Sequence, residues 1–193
     1  MMLSKEQINE NKLKYVGLLT KLGIDLTNLT RYLDSKRVDF FNKPFNDKND
    51  MAYAGSLCEH SLRVYEELTK LANLYAPNTY SEVELIKVAL FKDIYRAELY
   101  EPYTRNRKND ETGQWESYID YRAKDERPVF GNISFSSYMI AKKFIDLDND
   151  ELVEAIVQSS AESSLDSYQV RKSYKLVTLT MMAETAATYL TEE

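Results

Sequence analysis

The chain has 193 residues, 44% hydrophobic and 29% charged, an ordinary balance for one globular domain that buries a core without disulfides or metals. Its formal net charge of −6 argues against a general nucleic-acid binder, which needs clustered Lys and Arg to meet phosphates. No apolar run approaches the ~18 residues of a membrane span, the early Lys5, Glu6, Asn9 and Glu10 leave no signal-peptide core, and the single Cys58 forms no internal disulfide. A cytoplasmic protein without a membrane partner is expected.

Ser4 and Gln7 form a capping box at the start of a first helix, whose stripe is Ile8, Tyr15, Leu18, Leu19 and Leu22 and whose stop is Gly23. Asp25 is placed to cap a second, short helix through Leu26, Leu29 and Leu33. Residues 40–50, with Pro44 and scattered polar side chains, read as a loop. A third helix is predicted over about 56–75 from Leu57, Val64, Leu68 and Leu71. Ser81 and Glu84 make a second capping box ahead of Leu85, Val88, Ala89 and Phe91.

The helical period is lost over 100–130, where Pro102, Gly113 and Pro128 punctuate an aromatic stretch. Trp115, Tyr118 and Tyr121 beside turn-forming residues predict a hairpin there. Helices resume near Ser134 and after Asp148, whose partner Glu151 lies three residues on, and a last one covers about 173–190. The predicted fold is all-α, with residues 1–35 as N-terminal helices, 53–193 as the main helical body and 99–130 as a small irregular or β-hairpin insert within one domain.

Several short runs, taken in order, carry a resemblance to a known family. Gly55-Ser56-Leu57-Cys58-Glu59-His60-Ser61-Leu62-Arg63-Val64-Tyr65, followed by Ala89-Leu90-Phe91-Lys92-Asp93, Tyr100-Glu101-Pro102-Tyr103 and the insert Asn106 to Glu116, resembles the HD-domain phosphohydrolase-like family of bacteriophages. The resemblance covers roughly 38–190 and includes Phe40-Phe41 and Pro44. It implies an HD-type helical body and a divalent-metal site. The first ligand would be His60, a His-Asp pair falls on Lys92 and Asp93, and the acid of the last helix falls on Glu184. Further family histidines fall on Asp50, Asn132 and Ser159. The chain has a single histidine, so most of the ligand set that the resemblance implies is replaced.

The helical rhythm of Tyr174, Val177, Met181, Glu184 and Thr188 places Glu184 on an inward, mostly apolar face, where a carboxylate needs a partner; at the edge of that stripe it would instead reach solvent. An ammonium has donors only and repels a cation, so Lys92 is expected to take the metal's place and pair with Asp93 or Glu184. The alternative is a Lys92 that points to water. No metal, cofactor or catalytic residue is expected, and His60, Lys92, Asp93 and Glu184 form a vestigial pocket.

Three functions follow in order. The first is a non-catalytic phage protein that binds and inhibits a host protein, such as a replication or transcription factor, through Tyr100, Tyr103, Arg105, Arg107, Trp115, Tyr118 and Tyr121, residue types that dominate interface hot spots. Tyr95 belongs to the same aromatic run, and these tyrosines equally suit packing of the insert onto the helices. The second is a nucleotide sensor or sponge in which Lys92, Arg96, Arg105 and Arg107 meet phosphates. The third is a weak metal-dependent phosphohydrolase using His60, Asp93 and Glu184.

Overall fold

The computed structural model describes residues 3–48, 50–109, 112–125, 132–158 and 174–190. These form eight helices and one two-stranded antiparallel sheet, a mainly helical architecture. Among the described residues no helix is long and apolar enough to cross a membrane.

Helix α1 spans Lys5–Thr20 and opens on the predicted capping box. The Gln7 N–H donates to Ser4 Oγ at 3.2 Å and the Ser4 N–H donates to Gln7 Oε1 at 2.8 Å. Of its apolar stripe, Tyr15 and Leu19 are fully buried, and the Tyr15 hydroxyl donates to the Leu90 carbonyl at 2.7 Å, so this long-range contact fixes α1 on the core. Helix α2, Thr27–Leu33, buries Leu29 and Leu33. Its capping position is Leu26 rather than Asp25, although the Asp25 carboxylate still accepts the Thr27 N–H at 2.9 Å.

The segment read as a loop carries a 3-10 turn at Phe40–Asn42 and sits against the core. Phe40, Phe41 and Phe45 are buried there, because three aromatic rings in six residues bury more apolar area than a solvated loop exposes. Gly55 then turns the chain into helix α3, Ser56–Tyr75, at a φ of 86°. A Cβ at this position would meet Ile8 Cγ1 at 2.9 Å, so both the left-handed backbone and the close passage of α1 call for glycine.

Helix α3 is the central element and packs on α1, on α4 (Glu82–Phe91) and on the last helix, α8 (Lys175–Tyr189). The second capping box forms as predicted, with the Glu84 N–H donating to Ser81 Oγ at 3.3 Å. Two clusters of buried side chains each draw residues from both α3 and α4. One holds Tyr15, Leu33, Phe40, Phe91 and the base of the hairpin, and the other holds Val64, Leu68, Leu152, Leu176 and Ala183.

After a short α5, Arg96–Leu99, the predicted hairpin appears as β1, Tyr100–Lys108, paired with β2, Trp115–Ala123. The register runs from Tyr100 opposite Ala123 to Lys108 opposite Trp115. Side chains alternate across a strand, so Tyr100, Tyr121 and Ala123 share the face that packs on the helices. Helix α6, Ile133–Ala141, starts at Asn132, whose Oδ1 accepts the Phe135 N–H at 2.7 Å. Helix α7, Asp150–Val157, is capped by Asn149 rather than Asp148. Its Glu151 is drawn away from the helix start and accepts from the Tyr80 hydroxyl at 2.7 Å and the Leu176 N–H at 2.9 Å, which joins α7 to α8.

Candidate functional site

Helix α3 brings His60 to the centre of the molecule, the C-terminal end of α4 brings Lys92 and Asp93, and α8 brings Glu184. The inward register of α3 buries Leu57, His60, Ser61, Val64 and Leu68 on one face, which leaves the His60 side chain 0% exposed. Lys92 is 2% exposed and Asp93 is 6% exposed. The Glu184 side chain is 14% exposed and points inward rather than to solvent.

These side chains form one connected ionic chain. Lys92 Nζ donates to Asp93 Oδ2 and to Glu184 Oε2, the latter at 2.6 Å. Glu184 Oε2 also lies 3.0 Å from His60 Nε2, and because an ionised carboxylate only accepts, Nε2 is the donor. Arg96 extends the chain through Nε to Asp93 Oδ1 at 2.7 Å and through Nη1 to the Phe45 carbonyl at 3.3 Å. Its guanidinium sits over the Phe45 ring at 4.1 Å, and that ring lies 3.9 Å from the His60 ring, centroid to centroid. Among the described residues, His60 Nδ1 is buried without a hydrogen-bond partner.

Electrostatics follow from that geometry. Burial by itself pushes the Lys92 ammonium down, and the adjacent Asp93 and Glu184 carboxylates reverse this and hold it above its ordinary value. Burial likewise pushes Asp93 up, yet Lys92 and Arg96 hold it well below the usual carboxylate range. Glu184 is held at about 2, where Lys92 and His60 outweigh both burial and the like charge of Asp93. Two cations and two carboxylates therefore compensate one another inside the protein, which is the condition under which buried charges persist.

His60, Asp93 and Glu184 offer ligand atoms within 4.8 Å of one another, a spacing close to that of a divalent-metal site. The residues present nevertheless do not fit a metal. Lys92 offers no lone pair, occupies both carboxylates and brings a positive charge to the point where a cation would sit. Glu184 Oε2 already takes two hydrogen bonds. The site is an ion-pair cluster in which Lys92 bridges Asp93 and Glu184.

Beside the cluster opens a cavity of about 350 Å³ lined by Phe45, Asn46, Asp50, Lys92, Asp93, Arg96, Asn132, Glu184, Thr188 and Tyr189. Asp50 and Asn132, two of the positions where the resemblance would place histidines, line the same cavity as Lys92, Asp93 and Glu184, whereas Ser159 lies outside the described residues. Arg105 and Arg107 do not line it, so the four cations expected to meet phosphates together are divided between the cavity and the hairpin.

The aromatic residues of the insert divide in the same way. Tyr100 is 6% exposed and Tyr95 is 4% exposed, so both belong to the core and neither offers a surface to a partner. The strand register explains Tyr100, which starts β1 on the face turned toward the helices. Tyr121 is half-buried and donates from its hydroxyl to the Asn42 carbonyl at 2.9 Å, and Tyr103 donates to Asp120 Oδ2 at 3.1 Å. Arg107 lies over the Tyr118 ring at 5.3 Å, and Arg105 pairs with Asp120 at 3.1 Å. Trp115, 73% exposed, and Ile119, 55% exposed, stand out on the hairpin.

Sequence reasoning missed Ile119, Phe45 and the structural role of Arg96. Only Arg96 had a local signal, since Asp93 and Arg96 stand at the i, i+3 spacing of a helical ion pair. No protein-family model, curated protein or solved structure matches this chain.

Proposed function

We propose that the chain is a non-catalytic, phage-type protein of HD-domain-like architecture that acts in a host cytoplasm by binding and inhibiting a host protein, such as a replication or transcription factor. The observation that carries this reading is the Lys92 ammonium, 2% exposed and bonded to both Asp93 and Glu184, in the place where hydrolysis would require a divalent cation. Among the described residues, nucleophilic catalysis by cysteine and histidine lacks its parts as well. Cys58 is buried with its thiol pushed far up, chiefly by burial, and the one histidine is committed to Glu184.

Binding is supported by the hairpin. Trp115 and Ile119 lie on one face of a two-stranded ribbon whose base is anchored in the core, so two large apolar side chains face solvent on a supported element. Arg105, Arg107, Tyr103 and Tyr118 lie on the opposite face. The alternative of a nucleotide sensor has a cavity of adequate volume, but Lys92 and Arg96 are already engaged by carboxylates there.

The test is affinity capture from a bacterial lysate with the tagged full chain and with its Trp115→Ala and Ile119→Ser variants. The reading expects one stoichiometric, salt-resistant host protein that the variants lose while keeping the wild-type melting temperature. Capture of nothing, or capture unaffected by both variants, overturns the hairpin as the binding element.

A further inference from the structure

The cavity beside the ion-pair cluster has an electrostatic character that differs from a phosphate site. Its described lining carries two cationic side chains, Lys92 and Arg96, against three carboxylates, Asp50, Asp93 and Glu184, which leaves one negative charge in excess. The cations are already used. Lys92 donates to Asp93 and Glu184, and Arg96 donates to Asp93 and to the Phe45 carbonyl. The acceptors are not used to the same degree. Asn46 Oδ1 is buried in the lining without a hydrogen-bond partner, and Asp50 has no ion pair among the described residues. A buried acceptor left unpaired is unfavourable, and a ligand that donates to it recovers part of that cost. Tyr189, 78% exposed, adds an aromatic ring to the lining, a surface that favours a planar cation.

We infer that this cavity binds the cationic, N–H-donating head of a ligand, a guanidinium or amidinium group, with Asp50 and Asn46 as its acceptors and Tyr189 as its aromatic wall. One positive charge balances the excess carboxylate, and a planar fork of N–H donors matches a carboxylate beside an amide oxygen. A volume of about 350 Å³ admits such a head together with a few further heavy atoms. The same chemistry is carried by a free small molecule and by an arginine side chain of a bound protein. The second source rests on the host-protein reading, and the first does not.

The test is calorimetric titration of the full chain with benzamidine, with a blocked arginine amide, with the same arginine inside a flexible glycine peptide, and with inorganic phosphate and adenosine monophosphate. The inference expects saturable benzamidine binding that Asp50→Asn weakens by about tenfold or more, the loss of one charge-assisted hydrogen bond. Asp50 is exposed, so this variant keeps the fold, and an unchanged melting temperature verifies that. Phosphate and adenosine monophosphate are expected not to bind. Arginine that binds equally well inside the peptide identifies a protein side chain as the source, and binding of benzamidine alone identifies a small molecule. Absence of benzamidine binding, binding indifferent to Asp50→Asn, or phosphate binding in its place overturns the inference. None of these outcomes bears on capture through Trp115, so the two readings fail separately.

Discussion

Replacing Lys92 by histidine turns an obstacle into a ligand, and the structure sets the size of the effect. The three donor groups His60, Asp93 and Glu184 already offer atoms within 4.8 Å of one another. Metal–nitrogen and metal–oxygen bonds are ~2.0–2.2 Å, so two ligands of one ion lie at most about 4.4 Å apart, and closure needs only a few tenths of an ångström. In the absence of metal, Lys92→His removes the ammonium between two buried carboxylates, and breaking such a pair costs about 3–5 kcal/mol. At 2–4 °C per kcal/mol for a chain of this size, the melting temperature falls by roughly 6–20 °C. Saturating Mn²⁺ or Ni²⁺ at a hundred times its dissociation constant returns about 2.7 kcal/mol, or roughly 5–11 °C. Differential scanning fluorimetry with and without metal, checked by calorimetric titration, measures both. The wild type is expected to show no metal-dependent shift. A Lys92→His protein that binds neither ion at saturating concentration, or a wild type that is stabilised as strongly as the variant, refutes the argument.

Three further outcomes follow from the same geometry. Glu184 is held at about 2 and Asp93 is also depressed, so both carboxylates bind fewer protons in the folded than in the unfolded chain. Their contribution is therefore fully present above the unfolded carboxylate range near pH ~4 and lost as pH falls toward the folded values, and denaturation followed by circular dichroism should steepen over that window in the wild type but not in Lys92→Met. Gly55→Ala should cost about 1–3 kcal/mol in chemical denaturation, because it adds a Cβ that meets Ile8 Cγ1 at 2.9 Å and penalises a φ of 86°. Ser81→Ala removes the Oγ that accepts the Glu84 N–H and should cost about 1 kcal/mol, read from the same curves.

The local devices were the most legible in the sequence. Both capping boxes formed on the expected residues, and α3 spans the residues 56–75 that the spacing of Leu57, Val64, Leu68 and Leu71 predicts. Such signals act within one turn of helix and need no knowledge of the fold. Where neighbouring residues could serve equally, the tertiary contact decided. Asn149 caps α7 because Glu151 is taken up by Tyr80 and Leu176 from other parts of the chain.

The site was legible as a set of residues but not as a geometry. A lysine beside an aspartate on a helix end reads equally as solvated or buried. Only the packing of α8 on α3, which brings Glu184 to a residue 92 positions earlier in the chain, settles the direction of Lys92. The tyrosines show the same limit. Tyr100 and Tyr103 are three residues apart and chemically identical, yet strand alternation turns one into the core and leaves the other half-exposed beside Asp120. Residues 126–131 and 159–173, which include Pro128 and Ser159, lie outside the described structure.

The most direct measurement of the central claim is hydrolysis of a phosphomonoester panel by the purified full chain with added Mn²⁺ or Ni²⁺, run beside His60→Ala. With Lys92 bonded to both carboxylates, turnover by the wild type should not exceed that of the variant under any metal condition. Saturable, metal-dependent turnover by the wild type that His60→Ala abolishes would contradict the account, because it would require a divalent ion to share the space that the Lys92 ammonium fills.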